Sequence, residues 1–192
     1  MKFTPLAVAG AFLIELERND DARGFFARLW CRDEFAAHGI KIDVLQASIS
    51  HNAKAGTLRG MHFQWPPSRE AKVVRAQRGS ALDVAIDLRP GSPSFLRSAS
   101  VTLDASTHNA IYIPTGCAHG FQTLTDDCDI VYMMSDVYRP ELAGGVRYDD
   151  RAFGLRWPVP VSTITERDRT FPDFDRARYT EQFHAAERVA IP

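Results

Sequence analysis

Cysteine is scarce in this chain: Cys31, Cys117 and Cys128 are the only three in 192 residues. An odd number without CxxC spacing supports neither a disulfide framework nor a zinc knuckle, and points to a reducing compartment. An excess of charge is missing too. With 23 Lys plus Arg against 24 Asp plus Glu, the net charge is −1, so no global field draws the chain to nucleic acid or to a membrane surface, and any anion it binds must be held by a local site. No apolar run is long enough to span a bilayer. The nearest is Pro5 to Ile14, with the length of a signal-peptide core, but Glu15 and Glu17 follow it without a small-residue cleavage site. It reads as an opening β-strand, and the expected location is cytoplasmic. The remaining composition, 45% apolar and 24% charged, excludes disorder, collagen and coiled coil. The length suits one domain over residues 1–192.

Period-two alternation dominates the middle of the chain. Leu82, Val84, Ile86 and Leu88 alternate with Ala81, Asp83, Ala85 and Asp87, the pattern of a strand with one buried face. Shorter runs of the same kind lie at 47–50, 57–64, 72–77, 99–103, 110–113, 120–124 and 130–134. Arg89-Pro-Gly-Ser-Pro93, Asp104-Ala-Ser-Thr-His108 and Pro114-Thr-Gly116 supply the turns between them. Many short strands at this spacing predict an all-β sandwich or barrel. Helical patterns are peripheral: 32–38, stopped by Gly39, and a tail at about 175–188 with Tyr179 and Phe183 four apart. Helices that do not alternate with strands exclude a βαβ architecture, so the chemistry belongs inside the barrel.

The densest polar cluster is Gly56-Thr-Leu-Arg-Gly-Met-His-Phe-Gln64, which carries Arg59 and His62 among apolar neighbours. A second histidine, His119 in Ile113-Pro-Thr-Gly-Cys-Ala-His-Gly-Phe121, follows a Pro/Gly turn at the mouth of another strand. Two histidines on separate strands invite a metal reading with His62, Glu70 and His119 as ligands. Gln64, however, stands where such barrels usually place a further histidine. The alternative set suits proton transfer: His62 as base, Tyr132 as phenol donor and Lys72 as a cation for an enolate oxygen. Lys72 is one of only four lysines beside nineteen arginines, and spacing alone is equally consistent with a solvated strand end.

These two segments resemble the signatures of the dTDP-4-dehydrorhamnose 3,5-epimerase family. Asp21-Ala-Arg-Gly-Phe-Phe26, Lys72-Val-Val-Arg75, Asp83-Val-Ala-Ile-Asp-Leu-Arg89, Ser92-Pro-Ser-Phe95, Phe153-Gly-Leu-Arg-Trp-Pro158 and Thr165-Glu-Arg-Asp168 follow in the family's order, from about residue 5 to 174. The resemblance implies a jelly-roll cupin homodimer, without metal or other cofactor, acting on a nucleotide-linked 4-keto-6-deoxyhexose. It implies His62 as general base, oriented by Asp168, with Tyr132 as the acid on the opposite face of the sugar and Lys72 at the enolate oxygen. Arg23, Gln46, Ser48, Arg59, His119 and Arg167 match substrate-holding positions. Tyr138 matches a tyrosine that stacks on the nucleotide base, and Arg23 would reach the neighbouring subunit's pocket from an exchanged N-terminal strand.

Two departures bear on the nucleotide end. Arg28 stands where the family usually has Glu, and Ala143-Gly-Gly145 replaces its usual Glu-Arg-Gly, so the identity of the base is open. Strict alternation also puts Arg59 and His62 on opposite faces of one strand. Both reach one ligand only if Gly60 sits in a bulge. The competing functions are a metal-dependent cupin dioxygenase or isomerase, and a non-catalytic protein that binds sugar nucleotides.

Overall fold

The computed structural model describes residues 1–189; the last three residues of the 1–192 span lie outside the described residues. The chain opens with β1 (Lys2–Pro5) and β2 (Phe12–Glu15), continues through the hairpin β3 (Arg18–Asp21) and β4 (Gly24–Ala27), and then forms α1 (Arg32–Ala37). The strands β5 (Gln46–Asn52), β6 (Leu58–Gln64), β7 (Lys72–Arg78), β8 (Ser80–Asp87), β9 (Ser98–Asp104), β10 (Ala110–Ile113), β11 (Cys117–Thr123) and β12 (Cys128–Met134) follow. The short β13 (Ala143–Gly145), α2 (Glu166–Arg169) and α3 (Arg176–Val189) complete the described residues. A six-stranded sheet runs β1-β2-β10-β7-β12-β5, and a five-stranded sheet runs β13-β6-β11-β8-β9. Every pairing within them is antiparallel. Two antiparallel sheets of non-sequential order, face to face, form the sandwich that the alternation predicts, with the jelly-roll form that the resemblance implies.

The core has three parts. Between the sheets lie Val74, Ala76, Ala81, Ala85, Leu103, Ile111, Phe121 and Ile130. Outside the five-stranded sheet, Val84, Ile86, Leu88 and Met61 pack under Phe153, Tyr179 and Phe183. Outside the six-stranded sheet, Ile14, Val73 and Tyr112 pack on Phe35 of α1. Tyr179 and Phe183, one turn apart on α3, are 6% and 9% exposed, and burying side chains of that size stabilises by roughly 1.5–3 kcal/mol each.

Three expectations need correcting. The stretch from Pro5 to Ile14 is not one strand: it turns at Leu6–Ala11, where Leu6 N–H bonds Ala11 O and Ala11 N–H bonds Val8 O, so Pro5 pairs with Phe12. The strand over 80–87 buries both faces. Its Ala/Asp face points between the sheets, where small side chains fit, and its Val/Ile/Leu face lies under α3. His119 is the third residue of β11, not a residue at its mouth. The tail helix is observed at Arg176–Val189. The charged hairpin β3–β4, the three-residue β13 and the four-residue α2 carry no periodic signal and were not anticipated.

Candidate active site

Between the two sheets, toward one end, lies a cavity of about 530 Å³. The five-stranded sheet contributes Arg59, His62 and His119 to its lining. The six-stranded sheet contributes Gln46, Ser48, Lys72 and Tyr132, the loop after β12 adds Tyr138, and α2 adds Arg167.

Arg59 and His62 share this cavity because β6 bulges. His62 is paired with His119 and Arg59 with Phe121, so three steps on β6 match two on β11. The extra residue breaks the alternation at Gly60, whose φ is +132°, a conformation open to glycine alone. A Cβ there would meet Gly120 Cα at 2.5 Å, so no side chain fits.

His62 Nε2 lies 2.7 Å from Asp168 Oδ1. Asp168 also accepts the Gly60 N–H at 3.2 Å, while the Thr165 hydroxyl caps α2 by accepting the Asp168 N–H. That cap fixes the short helix and aims the carboxylate at β6. Burial raises the Asp168 pKa, but the His62 contact and the Gly60 and Thr165 bonds outweigh it and hold the carboxyl below its ordinary range. An ionised Asp168 keeps the proton of neutral His62 on Nε2 and leaves Nδ1 as the basic lone pair. The imidazole is 42% exposed and its carboxylate partner 4%, so the base is open to a ligand and its support is not.

Tyr132 stands on β12, paired with Ser48 on β5 and Val74 on β7. It is the opposite wall from His62. Burial and the Asp83 carboxylate push its phenol above the ordinary range, against the nearby Arg59; it is therefore held as a phenol, a proton donor. Lys72, 12% exposed, pairs with the equally enclosed Glu70 at 3.2 Å, so it is a cavity cation and not a solvated strand end. Arg59 is held by Asn52 Oδ1 at 2.8 Å and His51 O at 3.3 Å. Lys72, Arg59 and Arg167 make the cavity cationic, which suits a developing enolate and a phosphate-bearing ligand.

Arg23 is the sequence-predicted residue that the single chain leaves out of this group. It sits at the tip of the β3–β4 hairpin, 89% exposed and paired with Asp21. Arg28 is likewise not a cavity residue, because Glu34 holds its guanidinium at 2.7 Å. The other departure does line the cavity, at Ala143 and Gly144.

Two roles escaped the sequence reading. Asp83, fully buried, accepts from His119 Nε2 at 2.8 Å; an acid repeated inside an apolar strand was the available signal. Gln64 and Gln46 anchor the Tyr138 loop, their Oε1 atoms accepting the Arg139 and Tyr138 N–H groups. The amide at 64 is thus a loop tether. The residues considered as metal ligands, His62, Glu70 and His119, are paired with Asp168, Lys72 and Asp83 respectively. Among the described residues no three His, Cys, Asp or Glu side chains form a metal-binding group.

The sequence profile of dTDP-4-dehydrorhamnose 3,5-epimerase matches residues 5–176. The chain belongs to this family. It is 39% identical to the dTDP-4-dehydrorhamnose 3,5-epimerase of Mycolicibacterium smegmatis over 178 residues, 90% of this chain and 86% of that protein. The solved epimerase of Mycobacterium tuberculosis superposes with a TM-score of 0.89 at 34% identity, covering 99% of this chain and 98% of that one. A 3'-monoepimerase from Streptomyces bikiniensis, solved with dTDP-quinovose, gives 0.82 at 31% identity over 96% and 98%. The protein is therefore a carbohydrate epimerase, an isomerase built on a jelly roll. No described helix is long and apolar enough to cross a membrane.

Proposed function

We propose that this epimerase inverts C3 and C5 of a dTDP-linked 4-keto-6-deoxyhexose. The observation that carries the assignment is the opposition of His62 and Tyr132 across one cationic cavity. Hydrogens at C3 and C5 are acidified by the C4 ketone. Inversion requires removal of a proton from one face of the ring and delivery to the other. His62, with Nε2 committed to Asp168, takes the proton on Nδ1, and Lys72 stabilises the enolate oxygen. Tyr132 then protonates carbon from the opposite side. Positioned proton transfer contributes roughly 10²–10⁴ in rate.

Ser48, Gln46, Arg59, His119 and Arg167 hold the sugar and diphosphate in this reading. Tyr138, 54% exposed at the cavity's edge, stacks on the base. The dTDP-quinovose bound by the Streptomyces bikiniensis relative and the family profile support a thymidine nucleotide. No cofactor is required, because the ketone itself acidifies both hydrogens. The chain acts as one domain.

A homodimer accounts for what the single chain leaves open. Phe26, Leu45 and Ile49 are 74%, 61% and 60% exposed, an apolar area that monomers rarely leave uncovered. Arg75 bonds Leu29 O through Nη2 and leaves a buried Nη1 unpaired. A second copy covering this face would bring the Arg23 hairpin to the neighbouring cavity. The expected compartment is the cytoplasm, where free thiols persist.

Incubation with dTDP-4-keto-6-deoxyglucose in heavy water tests the reaction. Deuterium at both C3 and C5 is the expected result, and deuterium at C3 alone would reduce the assignment to a single inversion. No incorporation with thymidine, uridine or guanosine forms would leave only a binding protein.

A further inference from the structure

A second imidazole–carboxylate pair stands beside Tyr132. His119 and Asp83 are 5% and 0% exposed, with Nε2 and Oδ2 2.8 Å apart, and the other Asp83 oxygen is buried without a partner. The pair repeats the arrangement of His62 with Asp168: Nε2 is committed to a buried carboxylate, and Nδ1 remains for the cavity. The His119 ring meets the Tyr132 ring edge to face at 5.8 Å. On its other side, His119 is the direct cross-strand partner of His62.

Burying an unpaired carboxylate oxygen is costly, and holding a sugar hydroxyl needs only a neutral imidazole. Proton accounting supplies a reason for the charge. Each inversion moves one proton from carbon to His62 and one from Tyr132 to carbon, leaving an imidazolium and a phenolate. The next inversion needs an imidazole and a phenol, so one proton must pass from the His62 side to Tyr132. No electrons move and no outside reagent is consumed. The phenolate is enclosed and faces a carboxylate, so its unassisted persistence would stall the site.

We propose that His119 returns the proton to Tyr132 after each inversion, and that Asp83 is the positioning residue that stabilises the transient His119 imidazolium. His119 accepts the proton on Nδ1 from the His62 side through a cavity water that exchanges with solvent, so that the returned proton carries the solvent isotope, and releases it to the phenolate oxygen. The inference rests on the base and acid roles given above to His62 and Tyr132, and extends the function of His119 from holding substrate to resetting the enzyme.

Rapid-quench turnover of dTDP-4-keto-6-deoxyglucose in heavy water, with deuterons counted by mass spectrometry, tests it in Asp83→Asn and His119→Ala. The wild type should show a single linear phase. At saturating substrate the variants should show a burst of one inversion per site, followed by turnover slower than that burst by about tenfold or more. Added imidazole should restore the second phase in His119→Ala, which also carries the test if Asp83→Asn does not fold. Loss of rate without a burst, accompanied by a raised KM and no rescue, would overturn the proposal and leave His119 as a substrate-holding residue. Absence of deuterium from the wild-type product would instead overturn the function proposed above.

Discussion

His62 on β6 and Tyr132 on β12 face one cavity from opposite sheets of the sandwich, so a proton removed by one cannot be returned to the same face of a ligand by the other. That relationship makes the two substitutions unequal. His62→Asn removes the base that takes the proton from carbon and should lower turnover by about 10²–10⁴ while leaving nucleotide affinity nearly unchanged. Tyr132→Phe keeps the base and the enolate-stabilising Lys72, so hydrogen at C3 should still exchange with heavy water, without inversion. Proton NMR of the recovered sugar nucleotide distinguishes washed-in deuterium with retained configuration from product. Inversion at the wild-type rate in either variant would remove that residue from the mechanism.

Asp168 acts through His62 and through the fold. Asp168→Asn turns the acceptor of the Nε2 proton into an amide and disturbs the tautomer that leaves Nδ1 free, a change expected to lower kcat by about 10²–10⁴ with little effect on KM. It also has a pH signature. The Asp168 pKa is depressed in the folded protein from its ordinary 3.8, so its stabilisation is fully present above the unfolded value and is lost as pH falls through the folded one. The Tm difference between wild type and variant should be constant near neutrality and shrink below about pH 5. A difference that widens as pH falls below about 5 would contradict the ionised carboxylate.

The bulge at Gly60 can be tested without touching any reacting group. Gly60→Ala places a Cβ 2.5 Å from Gly120 Cα in a backbone with φ of +132°. Strain and overlap together cost on the order of 3 kcal/mol, which in a chain of this length lowers Tm by roughly 6–12 °C. Because the bulge is what turns Arg59 and His62 to the same side, the folded fraction should also lose activity. Calorimetry with activity measured well below the transition separates the two effects, and a neutral substitution would mean that β6 does not bulge there.

How far the sequence reveals this molecule depends on whether one face of each element meets water. The strands from β5 to β12 announce themselves by alternation, with limits displaced by a few residues at most. For β8 the same alternation misleads about burial. Ala81, Asp83, Ala85 and Asp87 look like a solvent face but fill the space between the sheets, and only the covering α3, distant in sequence, makes the other side dry. His119 is misplaced for a local reason, since β11 begins directly after Gly116. The Arg18–Ala27 hairpin is almost wholly exposed, so no apolar period marks it. Thr165 and Asp168 form a helix cap at readable spacing, although the helix itself is too short to show a period. Arg59 and His62 were separable by alternation and joined by the requirement that both reach a ligand, which is how the bulge could be expected. Asp83 was missed because an acid between alanines reads as exposed until its histidine is found across the sheet.

The three thiols should differ sharply in reactivity. Burial pushes the Cys117 thiol up to about 12 and the Cys128 thiol up to about 11, so neither forms appreciable thiolate near neutral pH, and the thiolate is the reacting form. Cys128 is further tied by a 3.5 Å contact to Ser80 O. Cys31, at the start of α1, is the partly exposed member of the set. Titration of the native protein with an aromatic disulfide reagent should therefore release one equivalent promptly, lost in Cys31→Ser, with the other two appearing only on unfolding in denaturant. Prompt release of two or three equivalents would show that the space between the sheets, which encloses Cys117 and Cys128, opens on the timescale of the reagent. The cavity that holds His62 and Tyr132 would then lack the rigid walls that opposed proton transfer needs.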